Sequence, residues 1–546
     1  MTRETMKKIS SLTLRAVLGL VIGLAAAGVV SFAGETERMG EGEVTLYKDA
    51  FDQSAYGEAM NQLDLGRWGR KITGKTIPSA STNIFDEVPD SPFFTNRHAR
   101  QKLSAADLEK GAFVADGPDL SKPLSVQGAE QQGAHYGFLV EDVKKDKYIL
   151  RFDAQGASEL NTAAEVIGNR FYYALGYNVP QATILSFAAD QLMAAPDAIT
   201  IDNTGFVKKL TQKILQEYLL FVPLPNGVYR ASATKVPAGT EAGKFSFLGR
   251  GKNNPQDIVN HRDLREIRAL GVFAAWLNHH EMLESNTLDM AVTENGRTVL
   301  KHYLTDFTNS LGAATDGPKE PMFGYEHMVD YGESIKAILG LGFWEKPWQK
   351  KWRLAGEKIY SPAVGYFSND LFDPAKFKDL LPYEAFRVIT RADGFWAAKI
   401  MMSFSDEDIR AMVKAGKYSR PDDEDYIVKT LSERRDMIAK YWFSRVSPLD
   451  QFAFLGGVLS FKDLAVVYGF VPREGTVYRV EVSAGNKKIA DLETAGSEVK
   501  LQPKWLSENS VIQLSIRALR SSSQKENPPV TVRLNAAGVQ GIRHAD

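Results

Sequence analysis

A chain of 546 residues is long enough for more than one domain, since single domains commonly hold roughly 100–200 residues. Its 66 basic and 67 acidic residues leave a formal net charge of -1, so no global positive field supports nucleic-acid binding. The lack of cysteine excludes disulfides, iron–sulfur clusters, cysteine zinc sites and thiol nucleophiles.

The first 33 residues have the pattern of a secretory signal. Basic residues precede an apolar run over 16–30, and the small residues that follow offer a cleavage site at Ala33. We therefore expect cleavage after Ala33, a periplasmic or secreted bacterial protein, and no stable membrane span in the mature chain. An uncleaved N-terminal membrane anchor is the alternative, because residues 16–33 are just long enough to cross a bilayer.

Residues 34–117 are predicted to form an irregular N-terminal arm. Within it, the stretch from Asp86 to Arg97 combines two prolines with a pair of phenylalanines. Proline favours extended backbone in the residue before it, and aromatic side chains bury large apolar surfaces. We expect this stretch to dock on the folded body through Phe93 and Phe94.

Residues 118–240 are predicted to form a small β-rich lobe with one long helix. Short apolar segments predict strands near 124–127, 136–143 and 147–153, and apolar residues at helical spacing predict a helix over 160–175. Gly128 and Gly133 lie between the first two strands. A glycine-rich strand–loop–strand can cradle phosphates through its backbone N–H groups, although a plain flexible hairpin has the same composition.

Residues 241–446 are predicted to form a larger, mostly helical lobe. A helix over 263–277 is apolar nearly all round in its second half, which indicates burial. It ends at the polar sequence Asn278-His279-His280-Glu281, and Asn286 follows five residues after Glu281. A predicted hairpin over 287–304, with its turn at Glu294-Asn295-Gly296, then leads to Asp306-Phe307.

Two later segments differ in composition from the rest of the chain. An aromatic-rich segment is predicted to pack into the core, with sugar stacking as the alternative; its members are Phe343, Trp344, Trp348 and Trp352. Residues 447–546 change to an alternating pattern of short strands, which predicts an antiparallel β-sandwich that binds a glycan or a partner.

Several of these segments carry a resemblance. They are Arg151-Phe152-Asp153, Ala275-Trp276-Leu277-Asn278-His279, Asn286-Thr287-Leu288-Asp289 and His302-Tyr303-Leu304-Thr305-Asp306-Phe307. They resemble a family of exported bacterial proteins and, more remotely, atypical kinases such as the HipA-like, CotH spore-coat and secretory-pathway kinases. The resemblance implies an α+β, bilobal protein-kinase-like fold, ATP with Mg or Mn, and a protein, glycan or small hydroxyl compound as acceptor.

The resemblance also implies roles for individual residues. Glu281 takes the place of the catalytic base and His279 that of a residue orienting its loop, while Asn286 and Asp306 take the places of the metal ligands. The phosphate-binding positions fall on four further residues, which are Arg151 paired with Glu165, and Gly128 and Gly133.

Three departures from the kinase pattern bear on activity: Arg151 replaces lysine, Glu281 replaces aspartate, and Thr308 replaces glycine. The extra methylene of Glu281 matters, because displacements of about 1 Å can cost on the order of 10²-fold in rate. A catalytically impaired pseudokinase that acts as a periplasmic or extracellular binding or scaffold protein is therefore an alternative. A hydrolase using Glu281 with Glu284 or Asp306 is a third class, although spacing fixes no second carboxylate.

Overall fold

The computed structural model describes residues 51–57, 65–113, 117–132, 135–201, 207–224, 227–251, 254, 257–294, 296–341, 343–354, 358–521 and 526–546. The predicted signal peptide over 1–33 lies outside the described residues. Among the helices of the described ranges, none combines the length and the apolar character needed to cross a bilayer.

The N-terminal arm docks on the body through its two phenylalanines, as predicted. It contains a π-helical turn (Asp52–Gly57), α1 (Leu65–Thr73) and α2 (Ala105–Lys110). Phe93 stacks on His302 with ring centroids 3.7 Å apart, and the buried Phe94 packs against Trp396. Two aromatic anchors therefore hold this segment against the body, Phe93 on a strand and Phe94 on a helix.

A seven-stranded sheet and one buried helix follow. Because this sheet lies in the predicted small lobe, we call it the small sheet. The strands are β1 (Leu124–Gln132), β2 (His135–Glu141), β3 (Lys147–Phe152), β4 (Ala182–Phe187), β5 (Leu192–Ile201), β6 (Val207–Lys209) and β7 (Tyr229–Lys235), in the order β4-β7-β3-β2-β1-β5-β6. The helices are α3 (Leu160–Leu175) and α4 (Gln212–Leu219). Neighbouring strands are antiparallel except for the parallel pair β1 and β5.

Helix α3 is buried on every side, with only Tyr173 partly exposed. The buried carboxylate of Asp153, just after β3, accepts hydrogen bonds from the N–H groups of Glu159 and Thr162 at 2.8 Å each and so caps the helix start. Gly176, at φ 126°, ends the helix. The spacing of apolar residues predicts an amphipathic helix, but the small sheet covers one side of α3 and the helical part of the chain covers the other.

A second, three-stranded sheet and a buried helix position the loops of interest. The strands are β8 (Thr240–Gly243), β9 (Thr287–Glu294) and β10 (Arg297–Leu304), in the order β10-β9-β8, and the helix is α5 (Arg265–Leu277). Every residue of α5 is buried. The hairpin of β9 and β10 confirms the strands predicted around the turn at residues 294–296.

The remaining helices build the larger α-helical part. They follow a short two-stranded ribbon, β11 (Ala313–Ala314) and β12 (Gly317–Pro318), and are α6 (Tyr331–Leu339), α7 (Pro347–Leu354), α8 (Glu384–Arg387), α9 (Arg391–Met401), α10 (Asp406–Lys414) and α11 (Pro421–Phe443). The prediction that the aromatic segment packs into the core is wrong for Phe343 and Trp344, which are 92% and 43% exposed. Helices α6 and α7 contain no buried residue.

The C-terminal strands form two antiparallel sheets around one apolar cluster. The elements are β13 (Leu449–Leu455), β14 (Val458–Asp463), α12 (Leu464–Val467), β15 (Thr476–Ala484), β16 (Lys487–Thr494), β17 (Glu498–Lys500), α13 (Pro503–Glu508), β18 (Ile512–Arg520), β19 (Val530–Asn535) and β20 (Gly538–His544). The molecule is thus mixed α+β with several sheets, while the domain boundaries drawn from the sequence stay predictions.

A chain of buried charges ties the arm, α5 and the last strand together. Asp86 accepts hydrogen bonds from His544 and pairs with Arg265 at 2.9 Å. Arg265 also pairs with Asp393 on α9, which in turn pairs with the fully buried Arg268. Because each charge has an oppositely charged or hydrogen-bonded neighbour, the network can remain ionised in the interior.

Candidate functional site

Arg151 reaches from β3 toward the turn that follows β10. Its strand is central in the small sheet, where it pairs with Gly137 on β2 and Ser232 on β7. Its guanidinium Nη2 lies 3.0 Å from Oδ2 of Asp306, and both side chains are largely shielded from solvent. The third strand of the small sheet is therefore joined by an ion pair to the acid after the hairpin.

Glu165 faces the same turn from α3. Its Oε2 accepts a hydrogen bond from the backbone N–H of Phe307 at 2.6 Å, and its Oε1 accepts one from Thr234 at 3.2 Å. Burial and the nearby charge of Asp306 raise the pKa of Glu165 to about 7, against the opposing effect of Arg151. Asp306 lies at ion-pairing distance from Arg151, and Glu165, whose pKa the Arg151 charge lowers, also anchors the backbone of the turn. The pairing of Arg151 with Glu165 stays a prediction.

Asp306 occupies a strained position directly after β10. Its φ of 60° lies in the left-handed region, which non-glycine residues rarely adopt. Its Oδ1 accepts a hydrogen bond from the hydroxyl of Thr308 at 2.5 Å. Burial alone would raise the pKa of this carboxyl, but the Arg151 guanidinium and the Thr308 hydrogen bonds hold it below its ordinary value. Asp306 is therefore ionised at neutral pH.

Glu281 lies in the loop that begins where α5 ends at Asn278. Its Oε2 accepts a hydrogen bond from the side-chain amide of Asn309 at 2.7 Å, and its side chain is 21% exposed. Burial and the charge of Asp306 raise the pKa of Glu281 to about 7, while the Asn309 hydrogen bond acts in the opposite direction. A partly exposed carboxyl with a pKa near neutrality can both accept and release a proton.

Asn286 lies next to both acids. Its side-chain nitrogen donates to the carbonyl oxygen of Glu281 at 3.1 Å, and its own carbonyl accepts the N–H of Thr305 at 3.0 Å. Within the described part of the chain, its amide oxygen accepts no hydrogen bond. Thr287 and Leu304 are the last pair of the antiparallel hairpin, so the residues just outside them lie close together. The structure therefore places Asn286 beside Thr305, the residue that precedes Asp306.

His279 is buried behind the turn rather than exposed to a cleft. Its Nδ1 lies 3.2 Å from the hydroxyl of Tyr172, and its ring packs edge-on against Phe307. Burial, helped by the positive charge of Lys319, lowers the pKa of His279 to about 3, so the imidazole is neutral. Any part it plays in chemistry must act through the position of the turn that carries Asp306.

Lys319 and Asn309 belong to the same cluster, although the sequence motifs do not include them. The buried ammonium of Lys319 donates to three backbone carbonyls, those of Asn278 at 2.5 Å, Leu311 at 3.1 Å and Asn309 at 3.3 Å. It thus links the loop of Glu281 to the segment after Asp306. Lys319 follows the ribbon β11–β12, and no spacing signal in the sequence places it near either loop.

The predicted glycine-rich loop differs from expectation. Gly128 lies inside β1, paired with Leu139 on β2 and with Ile199 on β5, at a β-bulge. The prediction that Gly128 lies in the loop between the first two strands is therefore wrong, because β1 continues through it to Gln132, while its phosphate-binding role stays a prediction. Gly133 lies outside the described residues.

The chemistry of this donor set suits a hard divalent cation bound together with phosphate oxygens. Asp306 offers a carboxylate and Asn286 an amide oxygen, and Mg²⁺ is commonly held by one or two such protein ligands plus substrate phosphates. Among the residues that the structure describes, no group of three or more histidine, cysteine, aspartate or glutamate side chains is placed to hold a metal alone. A cation at Asp306 would also have to compete with the guanidinium of Arg151.

Comparison with known proteins gives little further guidance. No family model and no curated protein sequence matches the chain. A solved structure, the crystal structure of the Helicobacter pylori proinflammatory kinase CtkA, is similar over 56% of this chain and 94% of its own, at 9% sequence identity and a TM-score of 0.27. That score is too low to establish a shared fold.

Proposed function

We propose that the protein is an ATP-dependent phosphotransferase with a bilobal, protein-kinase-like arrangement. It would bind nucleotide with Mg²⁺ or Mn²⁺ between the small sheet and the loops that carry Glu281, Asn286 and Asp306. The observation that carries the proposal is the convergence of Arg151, from the third strand of the sheet, on Asp306, from the end of a hairpin. In this proposal Arg151 and Asp306 would take the places of the phosphate-binding and metal-binding side chains of kinases.

The order of elements supports the same proposal. Three antiparallel strands lead into the buried helix α3, which supplies a glutamate to the site. A second buried helix, α5, ends in a polar loop, and a hairpin then delivers Asp306. This is the sequence of parts in which protein kinases present their strand cation, helix glutamate, loop acid, asparagine and metal-binding aspartate.

Each residue of the site would have its own role in the proposed reaction. A bound Mg²⁺ or Mn²⁺ would neutralise phosphate charge, with Asp306 and Asn286 as its protein ligands. Glu281 would accept the proton of the acceptor hydroxyl, whose oxygen forms a bond to the terminal phosphorus as the bond to the departing ADP oxygen breaks. The pKa of Glu281, about 7, suits a base that must bind and release a proton near neutral pH.

A binding or scaffold protein without phosphotransfer is the second candidate, and one contact favours it. Both carboxylate oxygens of Asp306 are engaged, Oδ2 with Arg151 and Oδ1 with Thr308. A metal bound there would compete with Arg151 for the charge of the carboxylate, and weakening a buried ion pair costs free energy. The longer side chain of Glu281 adds to the case for impaired catalysis.

Export belongs to the proposal as well. The N-terminal pattern favours a periplasmic or secreted bacterial protein, in which the acceptor would be a protein, a glycan or a small hydroxyl compound. The two C-terminal sheets, read as a β-sandwich, would offer a surface for such a partner.

Thermal unfolding of the full chain with ATP tests the binding part. A rise in melting temperature with ATP and Mg²⁺ or Mn²⁺, lost in Asp306→Asn, is expected, because a ligand that binds only the native state stabilises it. Asp190→Asn, which changes an exposed acid in the turn between β4 and β5, is the matched control and should keep the rise. If no nucleotide changes the melting temperature with any divalent metal, the phosphotransferase proposal fails and the binding or scaffold candidate is favoured.

Transfer of radiolabelled phosphate from ATP separates the two candidates. An active enzyme should transfer the label to itself, to a model protein or to water, in which case labelled inorganic phosphate is released. Glu281→Gln should reduce the rate of transfer by on the order of 10²-fold. Metal-dependent binding without any release of labelled phosphate supports the scaffold candidate instead. Retention of the full rate in Glu281→Gln removes Glu281 as the base.

A further inference from the structure

Helices α6 and α7 form a surface that the proposed cleft does not use. Neither helix buries a residue, yet large apolar side chains project from them and from the turn between them. The most exposed are Phe343 at 92% and Leu341 at 83%. We call this the α6–α7 surface, and its exposed apolar members are Ile335, Ile338, Leu339, Leu341, Phe343 and Leu354. Exposed apolar clusters of this kind mark interaction sites.

The same surface is basic in a chain that is slightly acidic overall. Residues 343–354 contain four cations and one acid, a net charge of +3, whereas the whole chain carries -1. Arg353 pairs with the single acid, Glu345, and Lys346 pairs with Glu326, which lies outside this segment. Among the described residues, the ammonium groups of Lys350 and Lys351 enter no ion pair. Positive charge therefore lies directly beside the exposed apolar side chains.

Tryptophans border the surface at helical spacing. Trp344, Trp348 and Trp352 are four residues apart, and the ring N–H groups of the first two donate to Glu333 and Glu326. With its N–H satisfied, an indole ring can lie at the boundary between water and an apolar phase, where tryptophan is enriched in membrane proteins.

We infer that the α6–α7 surface docks on a lipid bilayer with anionic headgroups. Leu341, Phe343 and Leu339 would enter the region just below the headgroups, and Lys350 and Lys351 would contact lipid phosphates. Peripheral helices bind membranes in this way, through buried apolar area together with attraction between basic side chains and anionic lipid.

A second copy of the chain is a poorer occupant. In a symmetric contact each copy presents the same patch, so the ammonium groups of Lys350 and Lys351 on one copy would face those of the other copy. Like charges across an interface oppose association, whereas an anionic bilayer complements them. The inference does not depend on the proposed phosphotransfer, because none of these residues contacts the Asp306 site.

Cosedimentation of the full chain with vesicles tests the inference. Binding is expected to vesicles of phosphatidylcholine mixed with phosphatidylglycerol, and to be weaker by about tenfold or more to phosphatidylcholine alone, with loss at high salt. The apolar N-terminal run is present in every variant, so differences between variants report on the α6–α7 surface. Equal binding to both vesicle types, or none to either, overturns the inference.

Two double variants test the two parts of the surface. Leu341→Glu with Phe343→Glu should weaken binding by about tenfold or more, because two large side chains lose an apolar environment. Leu455→Glu, at a turn in the C-terminal sheets where Leu455 is 86% exposed, is the matched control and should bind as the unaltered chain does. Equal weakening in this control overturns the assignment of the surface.

The role of the lysines is tested with a second double variant and its control. Lys350→Glu with Lys351→Glu should remove the preference for anionic vesicles, and Lys487→Glu with Lys500→Glu, two exposed lysines on the C-terminal strands, should keep it. Asp306→Asn should bind vesicles normally, so failure of the nucleotide proposal does not affect this result. A concentration-dependent dimer that the Leu341/Phe343 variant abolishes, without vesicle binding, would assign the surface to a second copy instead.

Discussion

The guanidinium of Arg151 and the carboxylate of Asp306 meet at 3.0 Å, and this contact joins the seven-stranded sheet to the turn that follows β10. Glu165 and Glu281 lie close enough to Asp306 that its charge raises the pKa of both. Two of these carboxyl groups, Asp306 and Glu165, lie in the field of the Arg151 guanidinium, and Glu281 is coupled to them through Asp306. The charge of Arg151 should therefore govern both the stability of the site and its dependence on pH.

Replacing that guanidinium should destabilise the protein more at high pH than at low pH. Arg151→Met leaves Asp306 without its partner, and breaking a buried ion pair typically costs about 3 kcal/mol or more. Below pH 7 the protons on Glu165 and Glu281 relieve part of the repulsion, so the loss should shrink at pH 5. Urea unfolding at pH 5 and pH 8 measures the difference.

The control for this substitution is Arg533→Met, which removes an exposed arginine on β19. Surface substitutions of this kind usually change the free energy of unfolding by less than about 0.5 kcal/mol. A loss for Arg151→Met that is the same at both pH values would show that the carboxylates do not share its field.

Glu165→Gln should stabilise the protein at high pH. The pKa of Glu165 rises from 4.5 to about 7 on folding, so between these values the native state holds a proton that the unfolded chain has released. Stability therefore falls as the pH rises through this window, by up to about 3 kcal/mol. Glutamine removes that loss and keeps an oxygen for the N–H of Phe307.

Urea unfolding from pH 4 to pH 8 checks the Glu165 prediction. The difference between Glu165→Gln and the unaltered chain should grow with pH, while Glu498→Gln, an exposed position on β17, should show no such growth. A variant that is less stable than the unaltered chain at pH 8 would mean that Glu165 is held as a carboxylate for structural reasons.

Asp86→Asn should weaken the link between the arm and the C-terminal strands, most strongly at neutral pH. Burial opposes ionisation of Asp86, but His544 and Arg265 together lower its pKa from 3.8 to about 2. This stabilisation is present above pH 3.8 and is lost as the pH falls through about 2, and it amounts to about 2 kcal/mol. Asparagine tolerates the left-handed backbone of this position, where φ is 63°.

Acid unfolding followed by circular dichroism measures this effect. The variant should lose stability at pH 7 and show a shallower decline between pH 4 and pH 2 than the unaltered chain. Asp190→Asn, at an exposed acid, should follow the unaltered curve throughout. If stability declined between pH 4 and pH 2 as steeply in Asp86→Asn as in the unaltered chain, protonation of Asp86 would not be the cause of that decline.

Local rules account for the part of the site that the sequence predicts. Asn286 precedes β9 and Asp306 follows β10, and an antiparallel hairpin brings those two ends together whatever the rest of the chain does. The end of α5 was equally predictable, because its apolar pattern stops at Asn278. The convergence of Asn286 with Asp306 therefore needed no knowledge of long-range packing.

Long-range packing decides the rest. Lys319 donates to three carbonyls on two loops. Its position depends on the path of the chain after β12, which the spacing of apolar residues does not predict. The partner of Arg151 is also set by packing, since Glu165 and Asp306 both lie within its field. The aromatic residues near Phe343 were predicted to lie in the core because apolar side chains alone do not distinguish a core helix from an unpartnered surface helix.

Gly168→Ala should displace the turn that carries Asp306. A Cβ at position 168 on α3 would lie 2.7 Å from Cβ of Phe307 and 3.3 Å from Oγ of Ser310. Phe307 is fully buried and its N–H is held by Glu165, so the turn has little room to retreat. Alanine favours the helix by about 1 kcal/mol over glycine, but overpacking a filled interior costs about 1–3 kcal/mol.

The net effect should be a small loss of stability together with loss of the metal-dependent rise in melting temperature with ATP. Gly69→Ala on α1 is the matched control, because its Cβ would meet nothing within 4 Å, and it should gain stability and keep the rise. A Gly168→Ala variant that retains the rise would show that metal and nucleotide do not depend on the position of Asp306. Since Phe307 ties Asp306 to α3, that result would place any nucleotide site elsewhere.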